Sequence, residues 1–148
     1  MTRVHTAIDL AAPPERVWDV LMDPLRLRDW VTIHHSLGPV PKRLVRGSEF
    51  EQTLTLRGAH LHVAWTVVDL DAPRRAVWEG RGPAHSHATC IYELAPSKKG
   101  GTHFDYTNEF TAPGGPLGAV AGRVLVGGLS QREAQRSLER LRQLIEHC

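Results

Sequence analysis

Cysteine is scarce in this chain, and so is sustained charge of one sign. Two cysteines, Cys90 in a strand-like run and Cys148 at the end, exclude a disulfide framework. No stretch approaches the roughly 18 apolar residues of a membrane-spanning helix. The first twelve residues lack the continuous apolar core of a secretory signal, so the cytoplasm is the expected compartment. Net charge is only +2 and no basic run or aromatic-studded basic strand occurs, which argues against nucleic acid as a partner. The catalytic motifs H-E-x-x-H, C-x-x-C, G-x-S-x-G and the phosphate-binding loops are absent, and no cofactor is expected.

What is present is alternation. Val4, Thr6, Ile8 and Leu10 share one face of a strand over Thr2 to Leu10. Pro13-Pro14-Glu15 then opens a short helix with Val17, Trp18, Leu21 and Met22 on its buried stripe, and Asp23-Pro24 leads into a second over Leu25 to Trp30. Between Val31 and Gly47 the pattern is weak, and Pro39 and Pro41 point to a sheet edge or a broken strand. Five strands follow: Glu49 to Arg57, His60 to Leu70, Arg75 to Arg81, His85 to Leu94 and Thr102 to Thr111. Their predicted inner faces carry Phe50, Gln52, Leu54, Leu56, Leu61, Val63, Trp65, Val67, Ser86, Ala88, Cys90, Tyr92, Leu94, Phe104, Tyr106, Asn108 and Phe110.

Past Gly114-Gly115-Pro116, residues Val120, Val124, Gly127, Gln131, Ala134, Leu138, Leu141 and Ile145 recur every three or four positions. This spacing predicts a long amphipathic helix from Pro116 to about His147. Gly127-Gly128 costs about 2 kcal/mol in a helix interior. The pair therefore marks either a break into two helices or a thin helix roofing a space. The outer face is rich in arginine and balanced by Glu133, Glu139 and Glu146, as a solvated surface would be.

Hairpin-linked strands and a long terminal helix predict a single α+β domain over residues 1–148, an antiparallel curved sheet wrapped around that helix. A curled sheet encloses more volume than one helix fills. Polar groups among the inner faces then suggest a pocket. The expected ligand-binding residues are Trp30, His34, Gln52, Trp65, Trp78, Tyr92, Tyr106, Asn108, Val124, Gly127 and Gln131. If chemistry occurs there, Tyr106 or Tyr92 would donate a proton, Asp69 or His34 would accept one, and Asn108 and Gln131 would orient a carbonyl or enol. The pairs His34-His35, His60-x-His62 and His85-x-His87 have no carboxylate at ligand spacing. The last four residues fall opposite the inner faces, so no metal site is expected.

The run Ile8-x-x-Ala11-x-Pro13-x-x-x-Val17-Trp18-x-x-Leu21-x-Asp23, then Trp30, Gly100-Gly101-Thr102, Glu109-Phe110 and Leu138-Glu139-Arg140-Leu141, resembles the START-like helix-grip superfamily. Within it the chain looks like the polyketide cyclase/dehydrase and lipid-transport branch. The resemblance covers essentially the whole chain and implies an internal cavity for a hydrophobic or aromatic small molecule. It also implies, as the alternative, a cofactor-free cyclase or dehydratase with tryptophans near Trp30 and Trp65 and amides near Asn108 and Gln131. Those enzymes carry an arginine near the end of the strand that holds Trp65, where this chain has Asp69. They carry a tyrosine where it has Ile33-His34-His35. A third reading is a member of the superfamily that acts on another protein. Monomer and homodimer are equally compatible with the sequence.

Overall fold

The computed structural model describes residues 2–56, 58–111 and 131–147. In it the alternating runs form strands β1 (Thr2–Leu10), β2 (His34–Leu37), β3 (Glu49–Leu56), β4 (Ala59–Asp71), β5 (Arg75–Arg81), β6 (His87–Pro96) and β7 (Thr102–Thr111). Helix α1 is Pro14–Leu21, α2 is Leu27–Trp30 and α3 is Gln131–Glu146. The strands make one antiparallel sheet in the order β1-β7-β6-β5-β4-β3-β2. Because β1 and β2 stand at opposite edges, the chain must cross the whole sheet between them, and α1 and α2 lie in that crossing.

Two expected boundaries move. The second helix was expected from Leu25, but Pro24–Arg26 form a 3-10 turn held by the Asp23 carboxylate, which accepts from the Leu25 N–H at 3.1 Å. Strand β6 was expected from His85, but Pro83–His85 is also a 3-10 turn and His85 has φ of 60°. The weakly patterned stretch contains β2, four residues long, ending just before Gly38-Pro39. Of the expected terminal helix, positions 116–130 lie outside the described residues, Val120, Val124 and Gly127 among them, as does Arg57 at the end of the expected β3.

Helix α3 packs into the curl of the sheet with Ala134, Leu138, Leu141 and Ile145 buried, as its period predicts, and buries Ser137 as well. Each such Leu or Ile contributes about 1.5–3 kcal/mol by leaving water. Polar contacts fix the seating. Ser137 Oγ accepts from the Thr32 N–H at 3.1 Å, and the Thr32 hydroxyl donates to Glu133 Oε2 at 2.6 Å. Along β1, the Gln131 amide donates to the His5 carbonyl and Arg142 to the Asp9 carbonyl at 3.4 Å, while Glu146 accepts from the Ala11 N–H at 3.1 Å. Among the described residues β1 has one β neighbour, and on its other side three backbone groups at or just past the strand are taken by side chains of a helix, one way of blunting a sheet edge. No helix among the described residues is long and apolar enough to cross a membrane.

Candidate functional site

Register puts the inward side chains in rows across the sheet. One row runs Val4, Asn108, Cys90, Trp78, Val67, and the next runs Phe110, Ala88, Gly80, Trp65, Phe50. The small residues at the centre of the second row leave room for a ring. A Cβ on Gly80 would come within 2.9 Å of the Trp65 ring and 2.7 Å of Val63, so Trp65 lies over a position that only glycine can occupy unshifted. The rings then interlock edge to face: Trp65 with Trp78 at 6.1 Å between centroids, Trp78 with Tyr92 at 5.2 Å, and Phe50 with Trp78 at 5.3 Å. Trp30, from α2, closes on Tyr92 and Tyr106 at 6.0 and 5.7 Å. These are the offset geometries that aromatic quadrupoles favour.

Inside lies a cavity of about 40 Å³. The sheet contributes Gln52, Leu54, Trp65, Trp78, Cys90, Tyr92, Tyr106, Asn108 and Phe110, and the α2 region contributes Leu27, Val31 and Ile33. Among the described residues of this lining no side chain is charged. Two of its buried donors, Trp78 Nε1 and Asn108 Nδ2, make no hydrogen bond of ordinary geometry, the Asn108 amide lying beside the Tyr106 hydroxyl, and Trp30 Nε1 behind the cavity makes none either. Such a group costs about 1–3 kcal/mol, and two on one cavity wall are unusual in a free protein. Burial raises the titrating groups here: it pushes the Cys90 thiol up to about 12 and holds both tyrosine hydroxyls well above their ordinary range. Both phenols are therefore fixed as neutral hydroxyls near pH 7, and the thiol is no nucleophile.

The structure brings together six of the expected residues, Gln52, Trp65, Trp78, Tyr92, Tyr106 and Asn108, in one lining, with Trp30 packed behind it. It places three elsewhere. His34 is half-buried outside the lining and reaches it through Gln52, whose Nε2 lies 2.9 Å from His34 Nδ1. Gln131 is exposed at the edge of β1, since its amide is engaged by the His5 carbonyl. Asp69 faces away from the cavity, paired with Arg75 at 2.7 Å and Arg46 at 3.1 Å, so its carboxylate is held by guanidinium groups at the surface. Val124 and Gly127 lie outside the described residues. Leu27, Val31, Ile33, Leu54, Cys90 and Phe110 line the cavity without having been expected there as ligand residues; Leu54, Cys90 and Phe110 share the alternation of their neighbours, which could have found them.

His60, His62, His85 and His87 are exposed on the outer face, where His60 stacks on His35 at 4.1 Å. Among the described residues no cluster of three or more His, Cys, Asp or Glu is arranged for a metal. A wider groove of about 1060 Å³ opens beside α3, but its walls are largely charged and none of the interlocked aromatics reaches it.

An antiparallel sheet curled on a terminal helix, with a mixed aromatic and amide interior, defines a helix-grip protein. The chain belongs to the polyketide cyclase / dehydrase and lipid transport family, whose model matches residues 1–146. It is similar to toxin Rv0910 of Mycobacterium tuberculosis, 28% identical over 127 residues, covering 84% of this chain and 88% of that one. The uncharacterized protein Rv1546 of the same organism is 25% identical over 147 residues, covering 97% and 99%. Among solved structures, the Zhui aromatase/cyclase from Streptomyces sp. R1128 superimposes with a TM-score of 0.81 at 16% identity, over 99% of this chain and 94% of that one. TTHA0849 from Thermus thermophilus does so with a TM-score of 0.78 at 20% identity, over 99% and 98%. At these identities the structural likeness speaks for the fold alone.

Proposed function

We propose that the protein binds a neutral, flat, hydrophobic molecule carrying oxygen acceptors, lipid- or polyketide-like, in the cavity between sheet and terminal helix. The observation that carries this reading is the pair of buried donors without a hydrogen bond of ordinary geometry, Trp78 Nε1 and Asn108 Nδ2, set in an aromatic wall. A carbonyl or hydroxyl oxygen on a ligand would satisfy them, and stacked rings would hold its body. The described part of the lining is uncharged and disfavours ions. At about 40 Å³ the cavity must widen to admit a ring, since an apolar void that takes benzene measures about 150 Å³.

The alternative is cofactor-free cyclisation or dehydration of a polyketide chain in the same cavity. It is favoured by the family and by the Tyr106 hydroxyl beside the Asn108 amide, with Tyr92 in the same lining. Binding is preferred because no group in the described lining titrates near neutrality, and efficient general acid–base catalysis calls for one.

Native mass spectrometry of the purified protein, together with titration of the neutral fluorescent ketone prodan, tests this. A retained apolar compound, or blue-shifted saturable prodan emission weakened by Trp65→Ala and Tyr106→Ala, is expected. Bare polypeptide mass with no saturable emission would refute it, and turnover of a poly-β-ketone chain would establish the alternative.

A further inference from the structure

We infer that His34 is a positioning residue that, through the Gln52 amide, sets whether the cavity wall at Trp65 offers hydrogen-bond donors or an acceptor to a bound molecule. The inference rests on the binding reading above for its ligand, but the relay itself is defined without one.

The chain of contacts has a single orientation. An indole N–H can only donate, so the oxygen of Gln52 must face Trp65, and it does so at 2.9 Å from Nε1. The amide nitrogen is thereby turned toward His34 Nδ1, also at 2.9 Å. An amide N–H₂ can only donate, so Nδ1 must hold a lone pair and the ring proton must sit on Nε2. A tryptophan in the cavity wall thus dictates the tautomer of a histidine outside it.

A proton on Nδ1 breaks this arrangement. Two donors would face each other across 2.9 Å, and the amide relieves the conflict by turning its oxygen to the imidazolium. Its N–H₂ then lies beside the Trp65 N–H, and both donors are left to the cavity. A ligand oxygen could take the pair; a ligand donor could not. With His34 neutral, the Trp65 N–H is satisfied and the wall presents the remaining lone pair of the Gln52 carbonyl instead. His34 therefore exchanges donor for acceptor at one point of an uncharged lining.

The surroundings set where the exchange falls. Burial, then His35 on β2 and Arg28 on α2, lower the His34 pKa from its ordinary value of 6.5. From β3 the groups facing it are the neutral Gln52 amide and Leu54, its partner in register. The ring is neutral at pH 7 and takes its proton below the ordinary histidine range.

The relay is tested by NMR on isotope-labelled protein, following the Trp65 indole N–H and the His34 ring from about pH 8 to about pH 5. Both signals should move with one midpoint. Gln52→Glu should raise the His34 midpoint by about one unit or more, because a carboxylate accepts from both neighbours at once and favours the imidazolium. His34→Ala should flatten the Trp65 profile. A Trp65 signal that ignores His34, or a His34 midpoint unmoved in Gln52→Glu, would overturn the relay whether or not any ligand binds. Prodan, whose ketone only accepts, should bind about three- to tenfold tighter at the acid end in the wild type, the worth of one hydrogen bond. It should bind independently of pH in His34→Ala. Binding that is equally flat in both would overturn the link from relay to recognition, and failure to bind prodan at any pH would count against the binding reading instead.

Discussion

Replacing Asn108 by leucine separates what the amide does for the fold from what it does for a ligand. The residue is 5% exposed and its Nδ2 makes no hydrogen bond of ordinary geometry, with only the Tyr106 hydroxyl beside it, so the free protein bears up to about 1–3 kcal/mol for a poorly satisfied donor. Leucine has the same heavy-atom skeleton as asparagine and branches in the same place, so Asn108→Leu removes the donor and adds the bulk of two methyl groups, which the adjoining cavity of about 40 Å³ can take up. The variant should be more stable by about 1–3 kcal/mol, or about 3–9 °C in Tm at about 3 °C per kcal/mol for a chain of this size. Prodan affinity should fall about fivefold or more in the same variant, since one acceptor loses its donor. Urea unfolding and fluorescence titration, run on the same preparations, read the two effects. A loss of stability above about 1 kcal/mol would mean that the amide is satisfied in the free protein and is structural. Unchanged prodan affinity would remove it from the site.

Gly80→Ala should displace the Trp65 ring, destabilise the protein by about 1–3 kcal/mol and shift tryptophan emission, because a methyl there collides with two rigid neighbours. Leu141→Ala, at a fully buried position on α3, should cost about 2–5 kcal/mol by urea unfolding, with no pH dependence of its own. The lowered pKa of His34 means that the unfolded chain binds more protons in this range. Its contribution is complete above about pH 6.5 and should be lost as pH falls toward the lowered folded value, a slope that His34→Ala should remove. His103 behaves oppositely. Its bond to Asp9 at 2.8 Å raises its pKa, so the small stabilisation it brings is present below about pH 6.5 and fades as pH rises through the raised value. Asp9→Asn should bring its NMR midpoint back toward about 6.5.

The strands were legible because each has one wet and one dry face. Thr2–Leu10, Arg75–Arg81 and Thr102–Thr111 are found at the expected limits, and the inward sets from Phe50 to Phe110 are buried almost throughout. Strand β2 was not legible, since four residues beside two prolines carry too little alternation to register. The outward side of Asp69 was hidden for a related reason. Alternation reports only parity, and the pairing of β4 with β5 slips between Val67 and Asp69. Nor could spacing reveal Arg46, 23 residues away, as one of the groups that holds it. Gln131 sits on the helical stripe of Ala134 and Leu138, yet the end of α3 lies against the edge of β1, where an amide finds a backbone carbonyl. Ser137 shares the period of its apolar neighbours and could have been recognised as buried. The His34–Gln52–Trp65 chain joins three strands by side-chain bonds, which periodicity does not encode.

The cover on β1 has a consequence for how the chain is made. His5 and the Gln131 that takes its carbonyl are 126 residues apart, so at about 5–20 residues per second the strand is translated about 6–25 s before its cover exists. Over that interval the growing polypeptide presents an adhesive ribbon, and the sheet can assemble β7 onto it only late. Cells that make this protein quickly at high temperature should show their losses as nascent-chain aggregates seeded at the amino-terminal strand, even though the side chains of α3 cover part of that edge in the finished molecule.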